Sequence, residues 1–368
     1  MIKNQIILIH REGVFEYFRQ KLKKVNYALN VFRFHPNQND KWNSLKDKYR
    51  GKRVFLIGNG PSLNKTPLYL LKGEKIMCFN RFHLMLERVN WKPTFYTIVD
   101  NLVLDDLLNE FEQVLSNAEE VFLPSVHVQG DVFVHRVKEK AKVNWFKNYI
   151  IGSGFSTKLP NIYGGGTVIF EGFQILKHLG FTEIIMVGVD MNYQIHKSVK
   201  SIKGKSTNIK SLSDDDPNHF DPRYFGKGKK YHQPEEHVIS NILKSLESLS
   251  RLTKDLEIQI INAGYDSKVD YFPRKDLIDV LGKDEFERLE LFEDVLRVNS
   301  VYGSLEEFKN NATEINDEAV KILASNKNYF SKIKVGFDLV KSNISTHVCF
   351  GPVNGEMVFV SRNNTIKH

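Results

Sequence analysis

A chain of 368 residues, 41% apolar and 26% charged, can bury a large core, and its ordinary globular composition argues against wholesale disorder. Its 52 Lys+Arg against 44 Asp+Glu give a formal charge of +8, which attracts anions; no basic run interleaved with aromatics points to nucleic acid. Two cysteines far apart, Cys78 and Cys349, argue against structural zinc, and no apolar run approaches the length of a membrane span.

Residues 1–48 read as a polar helical arm carrying the basic cluster Arg19-Gln20-Lys21-Leu22-Lys23-Lys24. Such a cluster is either a solvated helix face or a segment drawn to a membrane surface. The opening apolar run, Ile6 to Ile9, is too short for a secretion signal. The expected compartment is therefore the cytoplasm, with the inner face of the membrane as the alternative.

From residue 49 to 282 the pattern alternates between the two periodicities. Strands are expected at 54–57, 75–79, 94–99, 120–123, 183–190 and 259–262, and helices at 62–71, 102–115, 167–179 and 235–256. Segments 124–162 and 194–231 have few periodic apolar positions and read as loops, the second as an ordered lid or a loose insertion. This alternation predicts an α/β fold, a Rossmann-like parallel sheet with helices on both faces. Residues 283–368 read as a separate extension, with a helix over 284–297 and a hairpin turning at Pro352-Val353-Asn354-Gly355.

Ligands of parallel sheets gather beyond the carboxyl ends of the strands. Gly58-Asn59-Gly60-Pro61-Ser62 falls at such an end. Glycines admit close backbone approach, Pro61 suits a first helical turn, and the amides of a following helix attract an anion. No Gly-Lys-Ser/Thr follows, so this is not a Walker loop, and Gly60-Pro61-Ser62-Leu63 departs from the dinucleotide pattern. A plain turn with Ser62 as helix cap is the alternative. The second and third strands also end in polar residues, at Asn80 and Asp100. Three polar strand ends in one sheet favour a ligand site over isolated caps.

Gly58-Asn59-Gly60-Pro61-Ser62-Leu63 with Asn80 resembles the nucleotide end of bacterial CMP-sialic-acid sialyltransferases. Four further segments resemble the family called domain of unknown function 115. They are Tyr163-Gly164-Gly165-Gly166-Thr167-Val168, the run Leu179 to Ile185 with Gly188-Val189-Asp190, His219 to Phe225, and Tyr231-His232-Gln233-Pro234. That family includes motility-accessory flagellin glycosyltransferases and an archaeal 6-hydroxymethyl-dihydropterin pyrophosphokinase. The resemblance spans residues 50–280. It implies a sialyltransferase-like variant of the Rossmann fold in which Gly58, Asn59, Gly60, Pro61 and Ser62 hold phosphates. Asn80 and Asp100 would flank the ribose or base, and Gly164, Gly165, Gly166 and Thr167 would form the opposite wall. Asp190, Tyr224 and Tyr231 would complete the nucleotide site. Tyr193 would contact the leaving phosphate, and His232 would deprotonate the acceptor hydroxyl.

The implied reaction is transfer of an acidic sugar, sialic acid or another nonulosonic acid, from a CMP-activated donor to a surface glycan or glycoprotein. Hydrogen-bond donors can stabilise the leaving phosphate without metal, and a histidine suits the deprotonation. His232 is the preferred base; His219 is a second candidate, or a brace of its own loop beside Asn218 and Asp221. Arg223, Lys229 and Lys230 are either donor contacts or solvated charges. No cofactor is expected. The alternative within the resemblance is a diphosphotransferase using ATP and Mg²⁺, for which Asp100, Asp190 and Asp214-Asp215-Asp216 are the candidate carboxylates. A nucleotide-binding scaffold without catalysis is the remaining reading.

Overall fold

The computed structural model describes residues 18–19, 21–89, 91–108, 111–149, 154–202, 205–232, 235–265, 267–283, 347–353 and 356–361. The helices are α1 (21–34), α2 (Asn39–Leu45), α3 (Asn101–Leu107), α4 (Phe111–Asn117), α5 (Val168–His178), α6 (Glu236–Leu252) and α7 (Leu277–Leu281). The strands are β1 (Arg53–Ile57), β2 (Ile76–Phe79), β3 (Phe95–Thr97), β4 (Glu120–Pro124), β5 (Val143–Tyr149), β6 (Asn161–Tyr163) and β7 (Glu183–Val187). They continue with β8 (Val199–Ile202), β9 (Lys205–Ser211), β10 (Lys230–His232), β11 (Gln259–Asn262), β12 (His347–Val353) and β13 (Glu356–Ser361).

Eight strands form one parallel sheet in the order β11-β7-β1-β2-β3-β4-β5-β6. Successive side chains of a strand point to opposite faces, so a continuous apolar run needs cover on both. Val54 and Leu56 pack with Trp42, Phe173 and Leu246 on one face. Phe55 and Ile57 pack with Leu104, Leu107, Val114 and Leu277 on the other. Helices α2, α5 and α6 therefore cover one side, and α3, α4 and α7 the second. The Rossmann-like α/β architecture read from the sequence is the one observed.

Four local expectations change. No α-helix follows β1; two 3-10 turns, Pro61–Lys65 and Leu68–Leu71, take its place. Thr66 precedes Pro67 and lies extended at ψ 128°, because a residue before proline is driven out of the helical region. The helix expected over 102–115 is two, α3 and α4. Segment 124–162 is not all loop, since it contributes β5 and β6 to the sheet. Segment 194–231 carries an antiparallel sheet ordered β10-β9-β8.

The chain ahead of residue 49 is partly core. Trp42 and Leu45 are buried, and Trp42 Nε1 donates to Trp145 O at 3.0 Å. The Tyr27 hydroxyl exchanges hydrogen bonds with the backbone N–H and C=O of Asn148 at 2.9 and 2.8 Å. Leu22, Val25, Leu29 and Phe32 on α1 are exposed. The expected hairpin near the C-terminus is present as the antiparallel pair β12–β13, while the helix expected over 284–297 lies outside the described residues. Among the described residues no helix is long and apolar enough to cross a membrane.

Candidate functional site

Strand β1 sits where the chain reverses its progress across the sheet, with β2 on one side and β7 on the other, and a crevice opens at such a switch point. Here the two strand ends are clasped. Gly58 N donates to Val187 O at 2.8 Å and Gly60 N to Gly188 O at 2.9 Å. Ser62 donates its amide (2.9 Å) and its hydroxyl (2.5 Å) to the Asp190 carboxylate. A Cβ on Gly58 would stand 2.3 Å from Gly188 O, and one on Gly60 2.3 Å from the Asp190 carboxyl. The glycines thus serve the approach of chain to chain. Three of the loop's amides and the Ser62 hydroxyl are engaged within the protein, while Gly58, Asn59, Gly60 and Pro61 line the cleft. The Asn59 amide has no partner among the described residues; its side-chain Nδ2 donates to Phe79 O at 3.1 Å.

A helix N-terminus, that of α5, lines the same cleft. Thr167 is its N-cap with no side-chain capping bond. The amides of Val168 and Ile169 have no partner among the described residues, and with Thr167 they line a narrow lobe of about 110 Å³ together with Gly60 and Pro61. Unpaired amides at the start of an eleven-residue helix carry the positive end of its dipole.

The narrow lobe opens into a wide one of about 600 Å³. Asn80, Thr167, Tyr193 and His219 line both. Asn80 is held in the left-handed region at φ 51°, its carbonyl accepting from the Tyr96 hydroxyl at 2.6 Å. Asp100, Gly164, Gly166, Tyr231 and His232 line the wide lobe. One Asp100 oxygen caps α3 through the amides of Leu102 (2.7 Å) and Val103 (3.3 Å).

His219 is oriented from two sides. Its ring stacks on Tyr224 at 3.8 Å and 3°, and its Nδ1 meets Asp216 Oδ2 at 2.8 Å. Burial works to raise the Asp216 carboxyl, but the hydrogen bond and charge of His219 and the amides of Asn218 and Phe225 outweigh it and hold the group below its usual range. His232 ends β10 on the lid sheet and is half-buried. Tyr231 beside it stacks on Phe225 at 4.1 Å and bonds His196 through its hydroxyl.

A family described as 6-hydroxymethylpterin diphosphokinase MptE-like matches residues 3–196, more than half of the chain. The chain belongs to the MptE-like family. Comparison with the curated proteins and with the solved structures gives no significant match. In this MptE-like chain the matched span takes in the β1–β7 clasp and the α5 N-terminus, and it stops before His219 and His232.

Several residues singled out from the sequence have other work. Ser62 and Gly165 line neither lobe; Gly165 lies against Phe170, where a Cβ would stand 2.2 Å from the ring. Asp190 holds Ser62. Arg223 pairs with Asp221 at 2.8 Å. The acidic run braces the lid: Asp214 accepts from the Lys227 amide, Asp215 contacts His196 and Asp216 holds His219. Among the described residues no group of three or more His, Cys, Asp or Glu side chains is placed to hold a metal ion.

Asn101, which follows Asp100 at the end of the third expected strand, lines the wide lobe, as do three residues that sequence reasoning missed, His127, Asn148 and Glu171. Burial pulls the His127 imidazole down, against the nearby carboxylates of Asp100 and Asp131. Glu171 is 4% exposed, and burial pushes its carboxyl up to about 8. None of the three sits in a recognisable motif: His127 follows β4, Asn148 lies in β5 and Glu171 in the first turn of α5.

Proposed function

We propose that this MptE-like protein is a transferase that binds a nucleotide-activated donor, a CMP-linked nonulosonic or related acidic sugar. It passes the sugar to a hydroxyl of a surface glycan or glycoprotein. The observation that carries the reading is the narrow lobe, lined by Asn59 and Gly60 and by Val168 and Ile169 at the start of α5, with the amides of Asn59, Val168 and Ile169 left without a partner among the described residues. These preset donors suit phosphate oxygens whose charge grows as the bond to the sugar breaks.

The wide lobe has room for a sugar and an incoming hydroxyl. His232 accepts the acceptor's proton, the acceptor oxygen forms the new bond to the anomeric carbon, and the bond to the phosphate oxygen breaks with its electron pair leaving on CMP. His219, spanning both lobes and steadied by Asp216, faces the leaving phosphate, with the Tyr193 hydroxyl beside it. The exposed apolar residues of α1 next to Lys21, Lys23 and Lys24 support attachment to the inner face of an anionic membrane, where such acceptors are assembled.

His232→Ala is expected to lower transfer at least 100-fold while CMP affinity changes less than threefold, read by CMP release and by calorimetry. Equal loss of binding and turnover would sink the base assignment. The family's name favours a second reading, ATP-dependent diphosphoryl transfer to a hydroxymethylpterin with Mg²⁺. Its carboxylates would have to be found elsewhere than Asp190 and Asp216, which are already engaged. AMP release from ATP and pterin, without CMP binding, would replace the first reading with the second; nucleotide binding without any turnover would leave a scaffold.

A further inference from the structure

Four residues that line the wide lobe, Asn80, Asn101, Asn148 and Glu171, each carry a buried side-chain oxygen without a hydrogen-bond partner among the described residues: the Oδ1 atoms of the three asparagines and Oε2 of Glu171. Buried polar atoms are nearly always paired, so a cluster of orphans in one cavity marks groups that a ligand completes. Glu171 is the acid of the set. It lies in the first turn of α5, four residues after Thr167 and on the same helix face, about 6 Å along the axis. Its Oε1 lies beside Gly164, 3.5 Å from where a Cβ there would stand, and both residues line the lobe. Among the described residues no Lys or Arg lines the lobe; a backbone hydrogen bond favours the carboxylate, but burial outweighs it. Burial keeps the group protonated near neutrality.

We propose that Glu171 is a specificity-determining residue that reads the nucleobase, offering a hydroxyl donor beside a carbonyl acceptor to the hydrogen-bonding edge of the base. The inference rests on the nucleotide reading above and deepens it. With the phosphate at the Thr167 end of α5, the ribose spans the interval along the helix and the base arrives over Glu171. A carboxylic acid complements an edge with a donor next to an acceptor, as cytosine presents with its amino group and ring nitrogen. A carboxylate has two acceptors and complements paired N–H donors, such as the edge of guanine or of a pterin.

The test is calorimetry of CMP, GMP and ribose 5-phosphate against the full chain and two variants, with circular dichroism melts verifying that each is folded. For the unaltered protein, CMP is expected to bind at least tenfold more tightly than ribose 5-phosphate. Glu171→Gln, which keeps one donor and one acceptor, should hold that ratio within threefold. Glu171→Leu, an apolar side chain suited to a buried site, should collapse it to near one while ribose 5-phosphate affinity is unchanged. A ratio that survives Glu171→Leu overturns the proposal, as does a preference for GMP that Glu171→Gln abolishes, which would make the group an ionised acceptor. If neither CMP nor ribose 5-phosphate binds the unaltered protein, the nucleotide reading itself falls, an outcome distinct from failure of Glu171 alone.

Discussion

Glu171 and Asp190 are both buried carboxyl side chains beside the cleft, and they are stabilised in opposite ways. Asp190 accepts from the Ser62 amide and hydroxyl, partners that favour an ionised form. Glu171 has an orphaned oxygen and a carboxyl raised from 4.5 to about 8. Linkage gives this a sign. Between those two values the folded protein holds a proton that the unfolded chain has released, so stability falls as pH rises through the window and levels off above it. The integrated effect is on the order of a few kcal/mol. Glu171→Gln, which cannot ionise, should remove this slope and gain stability relative to the unaltered protein as pH rises from 5 to 8, measured as urea midpoints at fixed ionic strength. Parallel curves for the two proteins would mean that Glu171 is ionised and paired in the folded chain.

At the level of elements, α5 is the part on which both the cleft and the core depend. Gly172, one residue past Glu171, lies over β2, and a Cβ there would stand 2.7 Å from the Phe79 ring. Gly172→Ala should therefore overpack the α5–β2 contact and cost about 1–3 kcal/mol, lowering the melting temperature; an unchanged melt would show that Phe79 can turn aside. The apolar strands and α5 were legible in the sequence because their pattern is dictated by burial. Val54 to Ile57 and Ile184 to Val187 are buried throughout. Strand β5 was not legible, because Asn144 and Asn148 interrupt it and are buried all the same; Asn144 Nδ2 donates to Glu120 Oε2 and Val121 O at 2.9 and 3.2 Å. A reading by apolar periodicity scores such residues as loop. Glu171 was missed for a different reason: a Glu in a first helical turn reads as exposed and dipole-favoured, yet this one is buried. The position of the glycine loop was legible but its clasp on the end of β7 was not, since sequence cannot tell a glycine that admits a ligand from one that admits another stretch of backbone.

Across the whole molecule the cleft joins segments far apart in the chain, with Gly58–Pro61, Thr167–Ile169, Gly188–Tyr193 and His219 all lining the narrow lobe. A ligand there stabilises the folded sheet as a unit. At a hundred times its dissociation constant, CMP should add about 2.7 kcal/mol and raise the melting temperature by about 3–5 °C. UMP, ADP and ATP, each with and without Mg²⁺, complete the panel. A rise with ATP and Mg²⁺ alone would favour diphosphoryl transfer over sugar transfer.

The clasp between β1 and β7 also sets an order of events during biosynthesis. Arg53 pairs with Glu183 and Ile57 with Val187, yet everything from β2 to α5 is made in between. A nascent chain on the ribosome can lay β2 beside β1 early, while the other edge of β1 stays unpaired until β7 emerges. At about 5–20 residues per second this wait is on the order of ten seconds. Throughout it Gly58 and Gly60 lack the carbonyls they will bond, and the cleft comes into being only near the end of translation of the matched span.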